Sequence, residues 1–425
     1  MKLSTICTSI AASLVLASSL AIATPSDINP SEGYTQQQSA QFKKDFDINT
    51  YQLAVDEDLT RFTYLNMSEF FNHEMIARKG QVTELVTKID NNIGDVKVNT
   101  SHGELTLDQW TKDHLDGVIV VHKGKIVYEK YPRMQAQDKH LWWSISKSVT
   151  GTLLGMLEVE GKVNIQDNIE KYIPELNGSD WAGTSVRDIA EMASGMSGLE
   201  ADDPEAYTNQ ESPYGLFESS LGLVGQTPKT MKSTYDYMTK LERLKNSGEK
   251  HEYTSVNTFV LAWLIEKVTG QTYAEVIEER IWQHIGAEND AMLQVSPSGA
   301  PGAHGAISST LRDLARYGML FTPSSNKKGV ISDKLIKNVQ TMGRPEVLKA
   351  GIGFDYFNGY FLGDLQSTAY QWDGIMTDGD FAKAGYHGQT LYVSPDKDLV
   401  VASFATNQAY YTFSYARQIA KNLAK

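Results

Sequence analysis

Two β-hairpin patterns stand far apart in this chain with a long helical text between them, and that separation constrains the fold more than any other feature. The first follows Asp116: "GVIVV" and "KIVYEKY" are β-branched runs joined at His122-Lys123-Gly124, with glycine where the turn needs it. The second consists of "QTLYVSP" and "DLVVASFAT", separated by Pro395-Asp396-Lys397. Residues from about 164 to 285 are dominated by helical patterns such as "TSVRDIAEMA" and "NTFVLAWLIEKVTG". Strands at both ends with a helical middle predict an α+β protein whose two hairpins share one antiparallel sheet. "SVTGTLLGMLEVEG" has helical spacing at Val149, Leu153, Met156 and Leu157, with Gly161 placed to end the helix. A last helix, "FSYARQIAKNLA", closes the pattern, and no internal repeat interrupts it.

The start of the chain reads differently. Lys2 precedes an apolar run from Ile6 to Ile22, and Ala21-Ile22-Ala23 is followed by Thr24-Pro25, the layout of a secretory signal peptide over residues 1–23. A membrane anchor fits less well, because Ser, Thr and Ala weaken the run. The expected location is periplasmic or secreted, with no integral membrane segment after cleavage. Residues 24–110 read as a leader and N-terminal extension: Thr24 to about Asp45 is polar enough to predict a mobile leader. "FTYLNMSEFF" and "VTELVTKI" look like short ordered pieces without a chemical role. Residues 111–425 form the main domain. The single cysteine, Cys7, lies inside the signal, which excludes disulfides, cysteine catalysis and Cys-ligated metals from the mature chain. A net charge of −13 repels nucleic acid and anionic lipid, so neither is an expected partner.

Common catalytic signatures are absent: there is no G-x-S-x-G elbow, H-E-x-x-H or P-loop, and "SGMSGL" fails as an elbow at Leu199. What remains is an S-x-x-K at Ser144-Ile145-Ser146-Lys147. The same pattern recurs from Ser247, Ser324, Ser325 and Ser394, but in loop-like text, whereas Ser144 stands between Trp142-Trp143 and a buried-looking helix. If the helix starts at Ser144, residues three apart share a face and the Lys147 amine reaches the Ser144 hydroxyl. Desolvation there lowers the amine's pKa so that it accepts a proton, and the Ser144 N–H points from the helix's positive end toward a developing oxyanion. A second element, Tyr253-Thr254-Ser255-Val256-Asn257, opens an apolar helix and offers a phenol for proton transfer. The third, Gly385-Tyr386-His387-Gly388-Gln389, opens the C-terminal strand, where two glycines permit close approach to a ligand. Alone, each element also fits a structural role: a helix cap, a core ring, a hairpin loop.

Together, in this order, the three elements resemble the serine β-lactamase and penicillin-binding-protein superfamily. Within it they are most similar to the branch of class C β-lactamases, esterases and 6-aminohexanoate-dimer-hydrolase-like amidases. The likeness spans about Asp116 to Asn407 and includes "HLWWSISKSVTG", "YTSVNTFVLAWLIEKVTG", "AISSTLRDLARYGML", "YQW" and "GYHGQTLYVSPDKDLVV". It implies a β-lactamase/transpeptidase-like fold, an antiparallel sheet flanked by helices with a mostly helical subdomain beside it and the site between. It also implies roles: Ser144 as acylated nucleophile, Lys147 as its activating partner, and Tyr253 as general base and then acid. The N–H groups of Ser144 and Gln389 would form the oxyanion hole, and Ser255, Asn257, Tyr386, His387, Gly388 and Trp372 would bind substrate. No metal or cofactor is implied. Two departures bear on substrate: Tyr386, His387 and Gly388 stand where penicillin-recognising members carry Lys-Thr-Gly, so a carboxylate-binding cation is missing, and Ser255 replaces an asparagine. The expected function is an exported amide or carboxylic-ester hydrolase acting on a small molecule. A D-alanyl-D-alanine peptidase or weak β-lactamase is the rival, and a non-catalytic binding module is another.

Overall fold

Successive residues of a strand point to opposite faces. In Gly117–His122, Val118 and Val120 enter one hydrophobic cluster while Ile119 and Val121 enter another. Leu399–Phe404 behaves alike: Leu399 and Val401 face the first cluster, Val400, Ala402 and Phe404 the second. A sheet buried on both faces needs continuous apolar runs rather than alternation, which is what these segments carry. The computed structural model describes residues 28–200, 203–325 and 329–423 of the chain, so the segment read as a signal peptide lies outside the described residues.

The hairpins share one eight-stranded sheet, ordered Leu365–Ala369, Trp372–Met376, Phe381–Gly385, Gln389–Ser394, Leu399–Phe404, Gly117–His122, Lys125–Lys130 and Val86–Thr87. Leu399–Phe404 pairs antiparallel with Gly117–His122, joining the two ends of the chain. The expectation of an antiparallel sheet holds except at one edge, where the two-residue strand Val86–Thr87 pairs parallel with Lys125–Lys130. Lys123 and Gly124 turn the first hairpin at φ 50° and 70°, the left-handed pair that matches strand twist.

Helix Thr412–Leu423 covers one face with Leu107–His114, where Trp110 Nε1 donates to Thr412 Oγ1 at 3.1 Å. The other face carries Ser146–Val159, Leu311–Met319 and the helical region, in which Ser255–Thr269 is buried nearly all round. No helix among the described residues is long and apolar enough to cross a membrane.

The expected mobile leader is corrected. Gln36–Asp45 is a helix that starts on a capping box between Thr35 and Gln38, and Phe42 packs edge-on against Tyr34 and at a tilt against Phe62. The N-terminal extension is part of the domain rather than an appendage. Arg61 Nε donates to the fully buried Asp116 Oδ1 at 2.8 Å, and Thr406 Oγ1 completes the contact between extension and sheet.

Candidate active site

Ser144, the expected nucleophile, does not begin an α-helix. Trp143–Ile145 form a 3-10 turn and the α-helix runs Ser146–Val159. The intended neighbourhood survives this shift: Lys147 Nζ donates to Ser144 Oγ at 2.8 Å and to the His304 carbonyl at 2.8 Å. Trp143, just before the serine, is held at φ 49°, an uncommon conformation for a bulky residue. An aromatic cage supports it, with Tyr51 stacked at 6.2 Å, Tyr64 edge-on at 5.5 Å and Tyr386 edge-on at 5.6 Å.

Burial drives the Lys147 pKa down to about 7, overcoming the opposing pull of Glu200. At neutral pH a large fraction of the amine is unprotonated. It then keeps two N–H donors and one lone pair, so donating an N–H to the His304 carbonyl leaves the lone pair free to accept the Ser144 hydroxyl proton. Tyr253, just ahead of helix Ser255–Thr269, completes the group. Its ring lies between two amines, Lys147 Nζ at 5.0 Å and Lys383 Nζ at 4.8 Å from the centroid. Burial raises the phenol's pKa well above its usual value, while a hydrogen bond to Ser144 pulls it back toward ionisation. Tyr253 is therefore a phenol at rest, and Lys147 is the better first base.

Lys383 is a residue that the sequence reading missed, and it corrects the statement that a strand cation is lacking. It is fully buried on Phe381–Gly385, three residues before the position where one was sought. Its Nζ donates to Tyr253 Oη at 3.2 Å and is ion-paired with Asp373, whose Oδ2 also accepts from Ala384 N at 2.9 Å. The motif on the strand is thus Lys383-Ala384-Gly385, and the lysine's charge is already matched. A lysine at strand spacing beside an alanine carries no signal to distinguish it from surface lysines, and the neighbouring "GYHGQ" drew attention because it holds two glycines.

Both glycines are required by close protein contacts, although Gly385 also lines the cavity. A Cβ on Gly385 would stand 2.4 Å from the Trp142 carbonyl oxygen, so its absence lets the strand edge lie against the nucleophile turn. Gly388 has φ 95°, and a Cβ there would stand 2.5 Å from Ala409 N. Of the expected substrate residues, Tyr386 lines the cavity in front of Ser144 and stacks flat on Tyr207 at 5.3 Å. The others do not line it. His387 is buried with Nδ1 2.7 Å from Tyr64 Oη, and burial lowers its pKa to about 4, leaving it a neutral structural ring. Asn257 Oδ1 accepts from Ser194 Oγ at 2.7 Å, deep in the helical region. Ser255 is buried and gives its backbone N–H to Glu200 Oε1. Trp372 is fully buried against Phe321 and Phe381, and Trp142 is buried too, donating to Ser309 Oγ. Gln389 is sealed beneath the hairpin, its side chain bonded to Ala405. Of this stretch, Gly385 and Tyr386 line the cavity and Gln389 does not.

The cavity measures about 250 Å³, with Ser144, Glu200, Tyr207, Tyr253, Asp373 and Gly385 at its polar end. Glu200 and Tyr207 were also missed; they sit in a loop, and Tyr207 Oη donates to Glu200 Oε2 at 2.8 Å. Among the described residues no cluster of His, Cys, Asp or Glu is arranged to hold a metal ion. A serine hydroxyl against an unprotonated amine and a phenol can attack an acyl carbon and return a proton to its leaving group, so fold and site together define a serine hydrolase.

Comparison with known proteins narrows the class. A Beta-lactamase family model matches residues 107–423, and the chain belongs to that family. It is 30% identical over 305 residues to the 6-aminohexanoate-dimer hydrolase of Paenarthrobacter ureafaciens, covering 71% of this chain and 75% of that protein. The teichoic acid D-alanine hydrolase of Staphylococcus aureus is 28% identical over 174 residues, 40% of this chain and 36% of its own length. A solved structure from Bacillus anthracis, provisionally described as a 6-aminohexanoate-dimer hydrolase, superposes with a TM-score of 0.74 at 22% identity, covering 87% of this chain and 95% of that one. That likeness establishes the fold.

Proposed function

We propose that the protein is an exported hydrolase of amides or carboxylic esters that works through an acyl-enzyme on Ser144. The observation that carries this reading is the buried Lys147 amine, 2.8 Å from Ser144 Oγ with its pKa near 7. Unprotonated Lys147 takes the hydroxyl proton as Ser144 Oγ bonds to the acyl carbon. The Ser144 and Tyr386 N–H groups receive the oxyanion. Tyr253 gives its proton to the departing nitrogen or oxygen and recovers one from the Lys147 ammonium. Water then retraces the steps in reverse to free the acid. Lys383 orients the phenol and stabilises its transient negative charge.

Substrates without a carboxylate beside the scissile bond suit the site, because Lys383 is matched by Asp373 and the cavity's other acid, Glu200, is uncovered by any lysine or arginine lining the space. This argues against a D-alanyl-D-alanine peptidase or β-lactamase. Export rests on the pattern of residues 1–23 and is checked by the mass of the mature N-terminus. Ser144→Ala is expected to abolish turnover of p-nitrophenyl acetate and labelling by a fluorophosphonate while leaving the thermal unfolding midpoint in place. Full activity in that variant would remove the nucleophile assignment.

A further inference from the structure

The cavity in front of Ser144 has two chemically different ends. Beyond the polar groups runs an arm walled by Leu348, Ile352, Phe354, Phe357, Leu365 and Tyr410. Phe354 and Phe357 are one turn apart on helix Phe354–Tyr360, so both rings meet the same space. Ile352 is 62% and Phe357 42% exposed, which leaves apolar surface bare at the mouth of a reactive site.

The arm also has a definite side. Its helix Pro345–Ala350 is fastened to the residues just before the phenol: His251 N–H donates to the Val347 carbonyl at 2.9 Å, and a Cβ on Gly351 would stand 2.5 Å from the His251 carbonyl oxygen. The apolar walls therefore stand next to Tyr253, the group that must touch the leaving atom to protonate it. No lysine or arginine lines the arm, and Glu200 at its polar end would repel an anion.

We infer that this arm is the leaving-group subsite and that the substrate carries an uncharged apolar chain on its alcohol or amine side. The inference rests on the hydrolase reading given above. Burying a methylene is worth about fourfold in binding.

Two ester series test it on the full-length mature protein: acetates of ethanol to hexanol, and ethyl esters of acetic to hexanoic acid, both followed by pH-stat. The expected result is a kcat/KM that climbs roughly threefold to fourfold per methylene in the alcohol series and stays nearly flat in the acyl series. Phe357→Asp should flatten the alcohol series, whereas Phe357→Leu should keep its slope. Equal slopes in both series, a slope confined to the acyl series, or an unaltered slope in Phe357→Asp would overturn the assignment while the hydrolase reading stands. Absence of turnover together with absence of fluorophosphonate labelling at Ser144 would overturn both.

Discussion

At the residue scale the proposed chemistry turns on one proton. Lys147 can accept the Ser144 proton only when its amine is neutral, and burial brings that pKa from the ordinary lysine value to about 7. Below that pH the ammonium dominates and its lone pair is lost. The expected profile of kcat/KM for p-nitrophenyl acetate therefore falls tenfold per pH unit on the acid side of about 7 and levels above it. Lys147→Arg, which cannot be unprotonated at any working pH, should show no such plateau and only residual rates. Tyr253→Phe should lower kcat by about 10²-fold to 10⁴-fold, the usual worth of a positioned proton donor, and should keep the acid limb because Lys147 is untouched. A Tyr253→Phe variant in which that limb disappears would assign the titration to the phenol instead. Lys383 separates from both: bonded to Tyr253 Oη and paired with Asp373, it positions rather than receives the first proton. The strand lysine is the clearest case of a functional group hidden in sequence, because only the paired strand carrying Asp373 distinguishes it.

At the element scale, legibility follows from burial. The flanking hairpins could be read because both faces of their strands are covered and their runs are unbroken. Leu365–Ala369 and Trp372–Met376 could not, since their turn is Tyr370-Gln371, two residues without glycine or asparagine at φ 48° and 65°. Tertiary contacts hold that turn in place of local preference. Gln371 Nε2 donates to the Ile189 and Ala190 carbonyls, its Oε1 accepts from Thr258 Oγ1 at 2.6 Å, and Tyr370 Oη donates to Glu158. The "YQW" text thus docks the sheet onto the helix that carries Lys147. Helix Gln36–Asp45 escaped notice for the opposite reason: it buries none of its residues, so no apolar stripe marks it, and its only local sign is the Thr35–Gln38 box. The docking predicts its own weak point. A Cβ on Gly151 would lie 1.7 Å from the Tyr370 carbonyl oxygen, backbone against helix. Gly151→Ala should force the two apart and cost at least about 2 kcal/mol by urea unfolding, at the upper part of the range for overpacked cores. The same change at Gly161, where a Cβ meets nothing within 4 Å but φ is 74°, should cost only about 1 kcal/mol. Equal losses at the two sites would mean that the turn yields more easily than its contacts suggest.

At the scale of the whole molecule, the extension, the nucleophile turn and the strand edge meet in one buried aromatic layer, and its imidazole sets how the fold answers acid. Tyr64 from the extension holds His387 through a 2.7 Å bond, and Tyr51 stacks on Trp143. Gln52 donates to Glu218, which is paired with His304, whose carbonyl anchors Lys147. Loosening the layer would therefore disturb the catalytic amine as well as the termini. His387 has its pKa lowered by burial to about 4, and so has His251 beside the apolar arm, although Asp373 pulls that one upward. In the unfolded chain both titrate at about 6.5. As pH falls from 6.5 toward 4 the unfolded state takes up protons that the folded state refuses, so stability is full above 6.5 and drains through that window. Each ring contributes on the order of 3 kcal/mol over its full shift. Urea unfolding at pH 7 and pH 4.5 should show the loss, and His387→Asn isolates one ring. Asparagine tolerates the φ of 61° found there and offers Tyr64 a polar partner without titrating. That variant should lose about half of the pH dependence contributed by the two rings. A slope unchanged by it would place the acid sensitivity in other imidazoles that burial pushes down, His251, His114 and His122, rather than in the layer that joins the extension to the site.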